Sequence, residues 1–358
     1  MLAVIMAGGR GTRFWPVSRR NKPKQFLDIT GRGPMVLETC ERLGKSARDD
    51  EIILVVGQEH LKEAEDLFRG REVHILAEPV GRNTAPCMGL GAVYAKYLGY
   101  EGPVAFLPAD HFIRDREPFI EALRVAEELA KSGGIATLGI QPDRPSTGYG
   151  YIKRKDEPLK AKGLEAYEVS GFVEKPDAAR ALEYMNDGTY YWNGGIFVAT
   201  PDTILKELET HLPDHWKGLK VLQKALGGDG FDGALKEVYE GFERISFDYG
   251  IMEKTEAKVY VVPCQCGWSD VGSWESLYEL TSEEHDPNDN KKEGQAVLVD
   301  CEGSFVSVGG ERVVTCLGLK DCLVVDTGDA LLVADMKRTQ DIRRIIDRLE
   351  KEGREDLL

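Results

Sequence analysis

Short apolar runs alternate with amphipathic segments through the first 140 residues of the chain. The β-branched runs predict strands at 2–6, 51–56, 73–76, 104–107 and 135–140. Helical periodicity lies between them, at 37–43, 60–68, 85–98 and 118–131. Strands and helices that alternate in this way build βαβ units, so the pattern predicts an α/β fold with a mostly parallel sheet and helices on both faces.

The second half of the chain has a looser pattern. Residues 149–175 indicate extended segments, and the polar run 282–293, which contains Pro287, has the composition of a linker. Short strand-like pieces separated by Gly or Asp follow, and an amphipathic helix ends the chain. We therefore expect a catalytic domain over 1–285 and, over 286–358, a small all-β, β-solenoid-like unit with a terminal helix.

The charge of the chain is unevenly distributed. The formal net charge is −15, which disfavours binding to nucleic acid. Residues 1–27 nevertheless contain six basic side chains and no acidic one. These six are Arg10, Arg13, Arg19, Arg20, Lys22 and Lys24. The stretch is suited to a small polyanion, whose binding depends on the local field.

Hydropathy and cysteine usage bear on location. The chain has no apolar run near the roughly 20 residues of a membrane span, and its N-terminal apolar run is too short for a signal peptide. The seven cysteines are odd in number and scattered without zinc spacing. We expect reduced thiols, a cytoplasmic location and no membrane partner.

A glycine-rich turn follows the first strand, in the sequence Ala7-Gly8-Gly9-Arg10-Gly11-Thr12-Arg13. Such a turn lets backbone N–H groups approach a phosphate chain, although a plain tight turn is the alternative. No lysine stands where a Walker-A loop needs one, and Phe14 stands where a dinucleotide fingerprint needs its third glycine. A phosphate loop assisted by Arg13 and Lys24 remains.

Two aspartates follow predicted strands or rigid turns and are candidates for a metal site. Asp110 follows the predicted strand 104–107 after Pro108 and Ala109. Asp270 lies in the sequence Trp268-Ser269-Asp270-Val271-Gly272. Magnesium favours one or two carboxylates together with substrate phosphates. The alternative for each aspartate is a hydrogen-bonding role in its own turn.

Glu78 precedes Arg82-Asn83-Thr84 at another strand end. A carboxylate can accept hydrogen bonds from N1–H and N2–H₂ of guanine but would mispair with adenine. The alternative is a simple helix start with Thr84 as the N-cap.

The whole string from Ala7 to Lys24 resembles the nucleotidyltransferases that make nucleotide sugars from a sugar 1-phosphate. The extension Phe14-Trp15-Pro16-x-Ser18-Arg19 is similar to the mannose-1-phosphate guanylyltransferase branch. This resemblance implies a Rossmann-like, mostly parallel mixed sheet of the nucleotide-diphospho-sugar transferase type.

The resemblance also assigns residues to roles. It makes Arg13 and Lys24 catalytic, with Lys24 against the α-phosphate, and Asp110 and Asp270 the ligands of Mg²⁺. The nucleotide-binding set is Ala7, Gly8, Gly9, Gly11, Thr12, Arg13, Glu78 and Asn83. The sugar-phosphate set is Gly148, Tyr149, Glu174, Lys175 and Asn193. For Asn193-Gly194 a hairpin turn is the alternative.

By this resemblance the chain transfers GMP from GTP to α-D-mannose 1-phosphate and releases pyrophosphate, as a homodimer. Another nucleotide or hexose phosphate, or a non-catalytic regulatory relative of the same fold, is the alternative. The broken fingerprint at Phe14 disfavours a nicotinamide-dependent oxidoreductase. Longer relatives add a cupin-type isomerase domain, and we expect no isomerase activity in a chain of 358 residues.

Overall fold

A computed structural model gives the fold over residues 1–9, 11–161 and 163–358. Arg10 of the basic stretch lies outside these described residues. The chain forms two compact units that interleave along the sequence. Unit 1 comprises Met1–Gly9, Thr39–Ala109 and Ile113–Trp268, and unit 2 comprises Arg10–Glu38, Asp110–Phe112 and Ser269–Leu358.

The secondary structure follows the predicted alternation through the first 140 residues. The strands are β1 Leu2–Ala7, β2 Ile52–Gly57, β3 His74–Glu78, β4 Val104–Pro108, β5 Phe112–Ile113, β6 Ile135–Ile140, β7 Tyr151–Ala161, β8 Leu164–Val173, β9 Tyr190–Ala199, β10 Val259–Pro263, β11 Trp268–Ser269, β12 Lys291–Glu293, β13 Ala296–Val299, β14 Phe305–Val308, β15 Val314–Leu317, β16 Cys322–Asp326 and β17 Leu331–Asp335. The α-helices are α1 Met35–Leu43, α2 Leu61–Leu67, α3 Thr84–Tyr97, α4 Arg116–Ala130, α5 Ala178–Asp187, α6 Pro201–His211, α7 Pro213–Ala225, α8 Phe231–Gly241, α9 Trp274–Leu280 and α10 Ile342–Lys351.

Unit 1 is built on one mixed sheet of nine strands in the order β3-β2-β1-β4-β9-β6-β10-β8-β7. The first four strands are mutually parallel, and β6 is parallel to β10. The antiparallel strand β9 separates these two parallel groups. The predicted fold class, a mostly parallel mixed sheet with helices, is confirmed.

The core of unit 1 forms where helices cover the sheet. All six residues of β1 are buried, as expected of a strand that is covered on both faces. Leu2, Val4 and Met6 share one core with buried residues of α3, α6, α7 and α8. Helix α4 packs against β6, β9 and β10.

Unit 2 contains a coil of short parallel strands. β12, β14 and β16 pair in parallel, β17 closes that sheet in the antiparallel sense, and β13 pairs with β15 in a second small sheet. This arrangement confirms the predicted β-solenoid-like unit. Its core also includes Phe14, Trp15 and Trp274, together with Phe305 and Ile346.

Some elements differ from the sequence-based expectation. Helices α5 and α8 and strand β9 were not predicted. The run 282–293, predicted as a linker, is ordered within unit 2, where the Asn290 side chain donates to the carbonyl oxygen of Cys301 at 2.8 Å and accepts from the backbone N–H of Ser304 at 3.1 Å. These tertiary hydrogen bonds hold the polar segment in place, and the composition of the segment alone could not predict them. The domain boundary at 285 stays a prediction.

Candidate active site

Backbone geometry explains two glycines of the predicted phosphate loop. Gly9 has φ +126° and Gly11 has φ +55°, which are conformations that side chains disfavour. A Cβ atom at Gly11 would lie 2.4 Å from the backbone nitrogen of Lys24. Only glycine therefore allows the loop to approach Lys24 this closely. A single 3₁₀ turn, Thr12–Phe14, follows and includes Arg13.

The Lys24 ammonium group is buried and fully hydrogen-bonded. Its Nζ donates to the carbonyl oxygen of Asp110 at 2.8 Å, to the Asp110 carboxylate at 3.0 Å and to the carbonyl oxygen of Asp270 at 2.7 Å. An ammonium group has three donors, and these three oxygens accept all of them. The structure thus brings together three residues that are 246 positions apart at the extremes and that the sequence analysis singled out separately.

The charges around Asp110 determine its protonation state. Burial alone would raise the pKa of Asp110, but the positive charge of Lys24, helped by His111 and Arg13, holds the pKa below its usual value. About a third of the side chain is exposed, at 38%. Asp110 is therefore an ionised carboxylate that a ligand can reach.

Asp270 is fixed by a strained turn. Its Oδ1 accepts from the backbone N–H of Gly272 at 3.1 Å, and between them the fully buried Val271 adopts φ +42°. A β-branched residue at positive φ is rare, and such strain costs about 1–3 kcal/mol. A Cβ atom at Gly272 would lie 2.7 Å from the Asp270 carboxylate and 3.2 Å from the Arg13 guanidinium group. The turn therefore places Arg13 near the second predicted metal ligand.

The donor set suits a hard divalent cation only in part. Two carboxylates in one unit match the few protein ligands that magnesium uses when substrate phosphates complete its coordination. Over the residues that the structure describes, no cluster of three or more His, Cys, Asp or Glu side chains could hold a metal by itself. Asp110 and Asp270 therefore fit a divalent cation only where other ligands complete its coordination.

In unit 1, Glu78 lies at the end of β3 with its side chain 3% exposed. Burial raises its pKa to about 8, against a lowering effect from Tyr239. Its Oε1 has no hydrogen-bond partner among the described residues, and a Cβ atom at Gly8 would lie 3.2 Å from its Oε2. At neutral pH a carboxyl of this pKa is mostly protonated. Donors on a bound base would favour its charged form, and its role in base recognition stays a prediction.

Asn83, not Thr84, caps helix α3. The Asn83 side chain accepts from the backbone N–H of Thr84 at 2.9 Å, and its backbone, at φ +73° and ψ −170°, adopts a strained conformation that is otherwise found almost only in glycine. Thr84 instead accepts from the backbone N–H of Phe247 at 2.8 Å. The suggestion that Thr84 is the N-cap was wrong, because its hydroxyl is used in a tertiary hydrogen bond. The predicted base contact of Asn83 stays a prediction.

The predicted sugar-phosphate residues of unit 1 form one polar cluster. Lys175 follows the end of β8 and has φ +50°, which turns its ammonium group onto the Glu174 carboxylate instead of the opposite face. The Glu174 side chain is 7% exposed, and its Oε2 has no hydrogen-bond partner in the described part of the chain. A Cβ atom at Gly150 would lie 2.3 Å from that Oε2 and 3.2 Å from the Cβ of Asn193.

Asn193 lies inside strand β9, so the hairpin-turn alternative for Asn193-Gly194 was wrong. The reason is tertiary pairing, since β9 continues through both residues and lies between β4 and β6. The backbone N–H of Asn193 donates to the carbonyl oxygen of Gly150 at 2.8 Å. Its side-chain amide donates to the Asp248 carboxylate at 2.7 Å.

Aromatic rings surround the same cluster. The Tyr149 ring lies edge-on to Trp192 at 4.9 Å and to Trp268 at 5.4 Å between centroids. Gly148 is exposed, and its backbone N–H donates to the Ser146 hydroxyl at 3.2 Å. Planar apolar rings beside buried acids are suited to a hydroxylated ring, which presents both C–H and O–H groups.

Sequence reasoning missed Asp248, Glu253 and Trp192 in this cluster. The half-buried Asp248 is a single acid in the run Phe247–Met252, and Trp192 is 3% exposed in an otherwise polar stretch. The isolated carboxylate in this run was the one sequence signal for this part of the cluster, and it does not indicate which ligand binds there.

Comparisons with known proteins agree with this geometry. The Nucleotidyl transferase family matches residues 2–286, which is well over half of the chain. The chain belongs to the nucleotidyl transferase family. It is therefore a nucleotidyltransferase enzyme. The MannoseP isomerase/GMP-like beta-helix domain matches residues 294–349, which lie in unit 2.

Similar members of the family include a mannose-1-phosphate guanylyltransferase of Escherichia coli (strain K12). It is 37% identical over 358 residues, which cover 99% of this chain and 74% of the relative. The alginate biosynthesis protein AlgA of Pseudomonas aeruginosa is 36% identical over 99% of this chain and 73% of its own length. The crystal structure of a mannose-1-phosphate geranyltransferase from Thermus thermophilus has a TM-score of 0.87 and 38% identity, covering 98% of this chain and 99% of that one.

Within the described ranges, each helix is too short or too polar to cross a bilayer.

Proposed function

We propose that this nucleotidyltransferase transfers GMP from GTP to α-D-mannose 1-phosphate, giving GDP-mannose and pyrophosphate. The observation that supports this most is the Lys24 ammonium group, fixed by Asp110 and Asp270 and approached by the glycine turn at Gly11. The relatives named mannose-1-phosphate guanylyltransferase support the choice of substrates.

The reaction needs one displacement at phosphorus. An oxygen of the sugar phosphate attacks the α-phosphorus of GTP, and the bond from that phosphorus to the oxygen bridging the α- and β-phosphates breaks. Pyrophosphate leaves with the electron pair, in line with the attacking oxygen. No covalent enzyme intermediate is required, so positioning and charge neutralisation are the tasks of the protein.

Lys24 and Arg13 are the proposed catalytic cations. Lys24 is already desolvated and held by three oxygens, so its positive charge is fixed in place when charge increases on the equatorial oxygens of the α-phosphate. A direct hydrogen bond to the phosphate would replace one of these three. Arg13 would stabilise the leaving pyrophosphate, together with the backbone N–H groups of Gly11 and Thr12. A guanidinium group suits this task because it offers a planar fork of donors.

Asp110 and Asp270 would hold Mg²⁺ that accompanies the nucleotide. When bound, such an ion neutralises charge on the phosphate groups and orients them. Asp110 is ionised because of Lys24, which suits a cation ligand.

The sugar phosphate would bind in the unit 1 cluster. Glu174 offers a buried oxygen to a hydroxyl group, Lys175 a cation to the phosphate, and Gly148 and Tyr149 a turn beside the ring. Glu78 and Asn83 are proposed to read the base. A carboxylate that accepts from guanine would leave adenine mispaired.

The substrates can be tested with one panel. We expect pyrophosphate release, followed by a coupled assay, to be fastest for GTP with mannose 1-phosphate. ATP, UTP or dTTP, and glucose 1-phosphate, would serve as the comparison substrates. Faster release with another pair would assign a different nucleotide or hexose, and no release by folded protein with any pair would indicate a regulatory relative.

Two further expectations stay predictions. A homodimer predicts a solution mass of about twice the 39.8 kDa chain in sedimentation equilibrium. A cytoplasmic location rests on the scattered cysteines, which are free thiols throughout the described structure.

A further inference from the structure

A short helical turn beside the sugar-phosphate cluster has no part in the function proposed so far. Residues Asp248–Met252 form one π-helical turn, and Glu253 follows it directly. Single π-turns are uncommon and often occur at functional sites. The two acids at its ends face the cluster of unit 1.

The first acid fixes the side chain of Asn193. The Asn193 amide nitrogen donates to Asp248 Oδ1 at 2.7 Å. The amide oxygen of Asn193 accepts from the backbone N–H of Gly195 at 3.0 Å and from the Thr137 hydroxyl at 3.4 Å. Both ends of the amide are thus held, so Asn193 cannot flip, and one N–H direction remains for a ligand.

The second acid fixes the peptide between the proposed sugar ligands. Glu253 Oε1 accepts from the backbone N–H of Glu174 at 2.9 Å. The next N–H, that of Lys175, donates to the carbonyl oxygen of Tyr149 at 3.2 Å. These two hydrogen bonds hold the backbone where Lys175 adopts its left-handed conformation. That conformation places the Lys175 ammonium group on Glu174.

The carboxyl groups of Asp248 and Glu174 also interact electrostatically. Asp248 is half-buried, and the desolvation of its carboxyl group together with the nearby charge of Glu174 raises its pKa to about 6, while Asn193 and Lys175 act in the opposite direction. Glu174 Oε2 is nine-tenths buried and has no partner among the residues described, so it points to a missing donor. A sugar hydroxyl group is a donor of the right kind.

We propose that Asp248 and Glu253 are positioning residues for the hexose 1-phosphate. Asp248 holds the Asn193 amide, and Glu253 holds the Glu174–Lys175 peptide, so the turn 248–253 sets the affinity of the enzyme for its sugar substrate. This inference rests on the proposed function and adds two residues that do not themselves touch the reacting phosphates.

Steady-state kinetics of four variants test the proposal, with each substrate varied in turn. Asp248→Ala removes the acceptor for Asn193, and Glu253→Ala removes the acceptor for Glu174. Each is expected to raise KM for mannose 1-phosphate about tenfold and leave KM for GTP within about twofold. Asp248→Asn keeps an acceptor oxygen at the same place and should restore most of the lost affinity. Glu207→Gln is the matched control, because Glu207 is a buried acid of the same unit that bonds to Thr255 and lies outside the cluster.

The outcomes separate three cases. If wild type releases no pyrophosphate with GTP and mannose 1-phosphate, the proposed function fails, whatever the variants do. If wild type is active and both alanine variants keep their KM for the sugar phosphate, the positioning proposal is wrong. An equal rise of both KM values, or no rescue by Asp248→Asn, would show a general structural role and would also overturn it. Glu253 is exposed, so its variant remains informative if Asp248→Ala does not fold.

Discussion

At the scale of single residues, basic side chains that look alike in the sequence have different environments in the structure. Lys22 and Lys24 are two positions apart in one basic stretch, yet Lys22 is exposed and Lys24 is 5% exposed. Only Lys24 lies against Asp110 and Asp270. A buried cation with fixed partners can stabilise developing charge without reorganisation, whereas a solvated one contributes little.

Replacing Lys24 tests this difference. Lys24→Met keeps most of the length of the side chain and removes its charge, so we expect kcat to fall about a hundredfold or more. Lys22→Met is the matched control and should stay within about twofold of wild type. Steady-state pyrophosphate release measures both. A Lys24→Met rate within about threefold of wild type would contradict the catalytic role.

Glu78 gives a prediction that concerns pH. Its pKa is raised to about 8 in the folded protein, so between about pH 4.5 and 8 the folded state binds a proton that the unfolded chain has released. Its contribution to stability is therefore complete at low pH and is lost as the pH rises through 8. Glu78→Gln cannot ionise and should gain roughly 2 kcal/mol or more relative to wild type between about pH 5.5 and pH 8.

Thermal unfolding of wild type and Glu78→Gln at the two pH values measures that gain. A difference in stability between the two proteins that does not change with pH would show that Glu78 ionises normally in the fold.

The sequence predicted the residues of the candidate active site better than the residues that hold their side chains and backbone in place. Glycine turns and strand-end aspartates have local patterns, and the structure does bring Lys24, Asp110 and Asp270 together. Asp248 and Glu253 have no such pattern, because what matters about them is their tertiary hydrogen bonds to Asn193 and Glu174. No spacing along the chain encodes those contacts.

At the scale of elements, helix α3 shows why small residues can be required in a helix. A Cβ atom at Gly91 would lie 2.7 Å from the side chain of Val4 in β1, and one at Gly89 would lie 2.6 Å from Leu219 in α7. These glycines let the helix lie close to the sheet and to its neighbour. The cost in helix propensity is about 1 kcal/mol for each glycine relative to alanine.

The sign of a glycine substitution should therefore depend on its position. Gly91→Ala is expected to lower the free energy of unfolding by about 1–3 kcal/mol, because overpacking outweighs the gain in propensity. Gly233→Ala in α8 is the matched control, since its Cβ meets no described heavy atom within 4 Å. It should be neutral or stabilising by up to about 1 kcal/mol. Urea unfolding measures both, and stabilisation by Gly91→Ala would contradict the close packing.

Element prediction worked where the period was clear. β1 and β6 were expected from continuous apolar runs, and α4 from its amphipathic stripe. Strand β9 was missed because Asn193, Gly194 and Gly195 interrupt its apolar pattern. Asn193 lies in the polar cluster, and the backbone N–H of Gly195 donates to its side-chain oxygen at 3.0 Å.

At the scale of the whole molecule, the order of motifs along the chain differs from their grouping in space. The predicted boundary at 285 separates Phe14, Trp15 and Trp274 from the C-terminal strands. In unit 2, however, these residues share one core with the coil: the Phe14 and Trp274 rings lie 5.2 Å apart, and the Trp274 and Phe305 rings 5.8 Å apart. Sequence could predict both architectures but not this core, which joins segments far apart in the chain.

Truncation tests the shared core. A protein comprising residues 1–285 would lose the partners of Trp274 and Trp15, including the acceptor of the Trp15 indole N–H, which lies 2.8 Å away at the carbonyl oxygen of Leu357. We expect this truncated protein to lose at least about nine-tenths of its activity and to expose tryptophan to solvent, because the loss of a single buried Phe or Trp side chain already costs about 3–5 kcal/mol. Activity assays and tryptophan fluorescence measure the two effects. Full activity of the truncated protein would show that the coil is dispensable.

Transfer of the GMP group from GTP can be followed through the fate of the α-phosphate. The enzyme is incubated with mannose 1-phosphate and GTP labelled at the α-phosphorus, and, in parallel, with GTP labelled at the γ-phosphorus. We expect the α-label to appear in GDP-mannose and the γ-label in pyrophosphate. Label from the γ-position in the sugar product, or α-label that stays in free nucleotide while pyrophosphate is released, would contradict it.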